Sequence, residues 1–137
     1  MIVIDASVLT DFLLGRTEAV DAIEREMAGR AHEPLHAPEV VEPETLNALR
    51  HLVRAGAVTD LRASEAVADL AITRLVRYPH DPFRARIWEL RHNLTAYDAA
   101  YLALAESLDE AVLMTADRGL ATSARAVLGD ERVRHVS

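Results

Sequence analysis

The chain has 137 residues, 50% of them hydrophobic and 27% charged, which suits one domain with a full core and is too apolar for a disordered chain. It contains no cysteine, so disulfide frameworks, thiolate nucleophiles and cysteine-based zinc sites are excluded, and a reducing cytoplasm fits. The net charge of -7, from 22 acids against 15 bases, argues against a protein that coats nucleic acid by bulk charge; any such contact must be local.

We therefore expect a single domain over residues 1–137. All the basic residues are arginine, so every mechanism that needs a catalytic lysine is removed. The longest apolar stretch, Tyr97 to Leu108, carries Asp98 and Glu106 and is too short to cross a bilayer. The opening MIVIDAS shows neither the basic segment nor the cleavage pattern of a leader peptide, which also points to the cytoplasm.

In chain order, the β-branched run Ile2-Val3-Ile4 predicts a buried strand that feeds through Asp5-Ala6-Ser7 into a helix from Val8 to Leu14, ended by Gly15. Thr17 begins a second helix with Ala19, Val20, Ile23 and Met27 on one face, closing near Gly29. Leu35-His36-Ala37, between two prolines, is a weak strand. A longer helix runs from Val40 to Gly56, with Pro43 as its start or as a kink. Thr59 caps the next helix, to about Leu75, and Val76 to Tyr78 forms a third strand before the Pro79-His80-Asp81-Pro82 turn. Helices follow over Phe83 to Arg91 and Tyr97 to Leu108. The strand Ala111 to Thr115 leads through Ala116-Asp117 into a helix to Leu128, and Arg132 to Val136 closes the chain as a strand. Strands alternating with helices through short turns predict an α/β domain: a central parallel sheet of four to five strands with helices on both faces.

In such a sheet functional groups gather beyond the carboxyl ends of the strands, where strand order reverses. Asp5 and Asp117 each follow a strand there. Asp98 lies in an apolar helix, and Glu44 follows Pro43 at a helix start. Each acid has a local explanation: Asp5 and Asp117 as N-caps, Thr95-x-x-Asp98 as a capping box, Glu44 as a first-turn acid that favours the helix dipole. All four nevertheless lie at helix starts or strand ends, positions that converge on one rim. Carboxylates packed together repel, so the cluster calls for a cation, and oxygen ligands alone select a hard ion such as Mg²⁺ or Mn²⁺. A metal held by acids with open positions suits phosphodiester hydrolysis.

Four segments carry a resemblance: Asp5-Ala-Ser-Val-Leu; Pro38-Glu-Val-Val-Glu-Pro-Glu44-Thr-Leu-Asn-Ala-Leu-Arg50; Leu94-Thr-Ala-Tyr-Asp98-Ala-Ala-Tyr-Leu-Ala-Leu-Ala105; and Thr115-Ala-Asp117. In this order, over nearly the whole chain, they resemble the acidic motifs of PIN-domain ribonucleases, and in particular the VapC-type toxins of toxin-antitoxin pairs. The resemblance implies that Asp5, Glu44, Asp98 and Asp117 bind one or two Mg²⁺ or Mn²⁺ ions, with Ser7 and Thr115 as polar neighbours that orient a carboxylate or water. It further implies metal-dependent cleavage of single-stranded or loop RNA, a homodimer, and an antitoxin whose tail covers the site. Pro43 directly before Glu44 departs from the family pattern, leaving Glu42 as the alternative second acid.

Arg16, Arg50, Arg54 and Arg118 are the candidate phosphate contacts. The six histidines show no ligand spacing and read as surface or turn residues. Trp88 and the tyrosines are too few for a base-stacking platform, and Trp88, beside Ile87 and Leu90, reads as core or a partner surface. Two other functions compete: an aspartyl-phosphate fold, which needs the lysine this chain lacks, and a catalytically inactive PIN-like interaction module.

Overall fold

A computed structural model describes residues 1–30 and 32–137. Five strands form one parallel sheet in the order β3-β2-β1-β4-β5: β1 (Ile2–Ile4), β2 (Leu35–Pro38), β3 (Leu75–Tyr78), β4 (Val112–Thr115) and β5 (Val133–His135). Ile2 pairs with both Leu35 and Val112, and Ile4 with Met114. Side chains along a strand point alternately to opposite faces. Ile2, Val3 and Ile4 are all buried, so both faces of the central strand are covered, and their unbroken apolar run is what a two-sided burial demands.

The helices are α1 (Ala6–Leu13), α2 (Thr17–Glu26), α3 (Val41–Arg54), α4 (Asp60–Ile72), α5 (Arg84–Glu89), α6 (Ala96–Ser107) and α7 (Arg118–Leu128). Helix α6 is buried on every side from Ala99 to Ala105 and packs on β1, β2 and β4. Its four alanines in that span allow close approach, which explains an apolar stretch with no polar face. Helix α1 packs on α2, α3, α4 and β4, while α7 covers β4 and β5. None of the helices is long and apolar enough to cross a membrane among the described residues.

The chain places β1, β2 and β3 outward on one side, then crosses back to lay β4 and β5 on the other. Strand order therefore reverses between β1 and β4, and the gap beyond their carboxyl ends is where a doubly wound sheet opens a crevice. Asp5 leaves β1 and Ala116-Asp117 leaves β4 at that point. The backbone closes the junction, with Asp5 N–H donating to the Met114 carbonyl at 3.1 Å.

The structure corrects several sequence expectations. Pro43 neither starts nor breaks α3; it is the third residue, where the missing N–H would have had no helical acceptor. Helix α4 stops at Ile72, because Thr73 turns extended and Leu75 is taken by pairing with Leu35. The expected helix over Phe83 to Arg91 is divided: Asp81–Phe83 and Leu90–His92 are 3₁₀ turns around a short α5. Helix α2 ends at Glu26 and β5 begins at Val133. His36 is not a surface residue: it is 7% exposed in β2, its Nδ1 paired with the Tyr78 hydroxyl at 2.7 Å. Burial pushes its pKa below the ordinary imidazole value.

Leu113, fully buried on β4 between β1 and β5, has no room to be replaced by collapse. Leu113→Ala is expected to cost about 2–5 kcal/mol, measured by urea denaturation against the parent; a loss under 1 kcal/mol would mean the sheet centre repacks freely.

Candidate active site

Asp5 is the innermost acid, 5% exposed. Its carboxylate is held on both oxygens. Oδ1 accepts from the Ser7 hydroxyl at 2.5 Å and from the Val8 N–H at 3.1 Å, capping α1; Oδ2 accepts from the Thr115 hydroxyl. Each hydroxyl also accepts a bond from the chain leaving β4: Ser7 Oγ from the Ala116 N–H at 3.0 Å, and Thr115 Oγ1 from the Asp117 N–H at 2.9 Å. With their protons committed to Asp5 and their lone pairs to this backbone, Ser7 and Thr115 tie the ends of β1 and β4 together.

Asp117 caps α7, accepting from the Leu120 N–H at 2.8 Å. Gly119 sits against it: a Cβ there would lie 3.2 Å from Asp117 Oδ1, so glycine keeps the space beside this carboxylate open. Asp98 occupies the first turn of α6, where its N–H donates to the capping Thr95 hydroxyl at 3.2 Å; among the described residues no donor reaches its side chain. Glu44 lies in the first turn of α3 and accepts from the Tyr101 hydroxyl at 2.7 Å. Tyr101 is one turn along α6 from Asp98, so a single helix supplies one acid and steadies another.

The four acids act on one another electrostatically. Burial raises the Asp5 pKa against the opposing hydrogen bonds from Ser7 and Thr115. Glu44 is raised by burial and by the negative charge of Asp5. Asp98 is pushed up to about 6, first by burial and then by Asp117, Asp5 and Glu44. Every charge acting on Asp98 is negative. The acids nevertheless do not draw to a point: among the described residues, no three acids or histidines are placed to hold one metal ion together. The tight cluster expected from the sequence is therefore not formed among the described residues. In chemistry the donor set is all oxygen and rich in carboxylate, which fits a hard divalent ion.

The alternative second acid is placed elsewhere. Glu42 forms an ion pair with Arg77 on β3, whereas Glu44 is the one that senses Asp5. The four candidate arginines scatter. Arg118, the first residue of α7, is exposed beside Asp117. Arg50 and Arg54 are exposed on α3, about 9 and 15 Å along its axis from Glu44. Arg16 lies past the far end of α1 from Asp5 and pairs with Asp11 at 3.0 Å. Tyr101 is a site residue not expected from the sequence, although its spacing from Asp98 puts both on one helical face. Trp88 is 66% exposed, which removes it from the core.

The parallel sheet, with acids at the helix starts beside its switch point, lies almost wholly within residues 2–126, which the family model described as the PIN domain matches. The chain belongs to the PIN-domain family. It is 43% identical over 129 residues to VapC ribonuclease Mb0985 of Mycobacterium bovis, covering 92% of this chain and 93% of that protein. Ribonuclease VapC12 of Mycobacterium tuberculosis is 36% identical over 123 residues (90% and 92% covered), and ribonuclease VapC1 of the same species 35% over 123 residues (88% and 89%).

The raised Asp98 pKa has a signed consequence for stability. Its folded value of about 6 exceeds the unfolded 3.8, so the folded state holds this proton more tightly. The associated stability is fully present below about pH 4 and is lost as pH rises through 6. In chelator at pH 7, Asp98→Asn is expected to be more stable than the parent by about 1–2 kcal/mol, a value discounted for the half-exposed setting. That gap should close toward pH 4. Urea melts at the two pH values test this, and equal stabilities at pH 7 would remove the repulsion from the account.

Proposed function

We propose that the chain is a metal-dependent endoribonuclease, the toxin of a toxin-antitoxin pair, with Asp5, Glu44, Asp98 and Asp117 as the acids that hold Mg²⁺ or Mn²⁺. The observation that carries the reading is the placement of four acids, as caps of α1 and α7 and in the first turns of α3 and α6, beside the β1/β4 switch point. An ion bound there would neutralise charge on the phosphate oxygens and lower the pKa of an attacking water. The remaining chemistry belongs to the chain. Ser7 and Thr115 hold the Asp5 carboxylate in one orientation, because each hydroxyl is anchored at its other end to the backbone leaving β4. Tyr101 keeps Glu44 turned toward the same crevice.

Arg118 is the best placed of the four arginines to contact a phosphate, since it adjoins Asp117. The names of the relatives, VapC ribonucleases, support RNA as the substrate and a cognate antitoxin as the partner. An arginine inserted among the acids by such a partner would supply the missing positive charge and shut the site. A cytoplasmic homodimer completes the reading.

Purified protein freed of any partner is expected to cut RNA in Mg²⁺ or Mn²⁺ and to stop in chelator. Asp5→Asn and Asp98→Asn should each lower cleavage by orders of magnitude while remaining folded, as followed on gels and by circular dichroism. If both cut as well as the parent, the assignment fails. Glu44→Gln should lose activity and Glu42→Gln keep most of it, since Glu42 is committed to Arg77; the reverse ranking would exchange their roles.

A further inference from the structure

A groove of about 800 Å³ runs along α5 to the start of α6, apart from the four acids. At one end lies Ala96, the first residue of α6, followed by Tyr97, which is 59% exposed, and then Asp98. At the other side lies His80, whose Nε2 accepts from the Val40 N–H at the head of α3, the helix that carries Glu44. The groove therefore adjoins two of the helix starts that deliver the acids. Its floor is marked by Trp88, the only tryptophan of the chain and one of its most exposed large apolar side chains. The Arg91 guanidinium stacks 4.3 Å from the centre of the Trp88 ring and donates to the Trp88 carbonyl at 2.9 Å. Arg84 also lines the groove, and among the described residues neither arginine is in an ion pair. Asp81 is the one acid on its wall.

The geometry points to this groove as a subsite for single-stranded RNA, in which Trp88 stacks on a base flanking the cleaved bond and Arg84 and Arg91 take the adjoining phosphates. This assignment rests on the ribonuclease reading above. Charge complementarity decides the occupant. In a chain of net charge -7, a wall with two unpaired arginines against one acid is locally positive, and it ends at Ala96, in the same helical turn as Asp98. An exposed indole beside a pre-oriented guanidinium is the equipment that binds unpaired bases without reading their identity. Aromatic residues are too few for a platform of several bases, but the single tryptophan is exposed in this groove and suffices for one.

Trp88 also supplies its own probe. With the Asp98→Asn protein in Mg²⁺, a ten-nucleotide single-stranded RNA is expected to quench tryptophan emission saturably, and a duplex of the same sequence to do so far less. Trp88→Ala, an exposed change that leaves the core untouched, should weaken binding of the labelled RNA about tenfold. Arg84→Ala and Arg91→Ala should each lower the salt slope of binding by about one. Unchanged emission at saturating RNA together with parental affinity of Trp88→Ala overturns the proposal. So does emission that follows protein concentration instead of RNA, with Trp88→Ala sedimenting as a smaller species, since the groove would then be an interface between copies. The two readings fail separately. Parental cleavage by Trp88→Ala rejects the groove alone, whereas RNA left intact by the parent protein rejects the ribonuclease reading itself.

Discussion

Gathering four carboxylates at one edge of a sheet is the constraint around which this molecule is arranged. Every pair of negative charges opposes folding, and burial adds to the cost. Part of the answer lies in the helices. Asp5 and Asp117 are the caps of α1 and α7, and Glu44 and Asp98 sit in the first turns of α3 and α6. Each carboxylate thus meets the positive end of a helix dipole, an interaction worth about 0.3–1 kcal/mol. Capping and clustering, which compete as explanations in the sequence, are the same arrangement seen at two scales.

The hydroxyls provide the rest. Asp5 has the deepest burial and the densest set of donors, and those donors are themselves fastened to the strand on the other side of the switch point. The site's rigidity therefore comes from the junction between β1 and β4 and not from any loop. Asp98 is the counterpoint: it lacks a side-chain donor and takes the largest repulsion, with a pKa of about 6. One acid is fixed by its hydrogen bonds, and another has no side-chain donor among the described residues. That division follows from burial alone, since the innermost carboxylate must have its hydrogen bonds satisfied and the outer one can turn to solvent.

Much of this was legible in the chain. Helix and strand periodicity located the sheet strands to within a residue or two, and Asp5, Asp98 and Asp117 stood out because each sits where a strand or a capping signal ends. Pro43 was harder to read, because a proline in the first turn resembles both a start and a break until the register of α3 is known. His36 misled for a different reason: a short, weak strand does not show which of its faces is covered, and only the pairing of β2 on both sides with β1 and β3 buries it against Tyr78. For Trp88 the sequence left core and partner surface open, because α5 is too short to show which of its faces is covered; its exposure excludes the core.

Local order along the chain, the candidate acids and the family likeness were legible in the sequence itself, since periodicity, caps and charge are properties of neighbouring residues. The choice of Glu44 over Glu42 as the partner of Asp5, the Tyr101 bond that steadies it, and the exposure of Trp88 beside α6 were decided only in three dimensions. Each depends on contacts between residues tens of positions apart, and the crossing of the chain from β3 back to β4 is what brings them together.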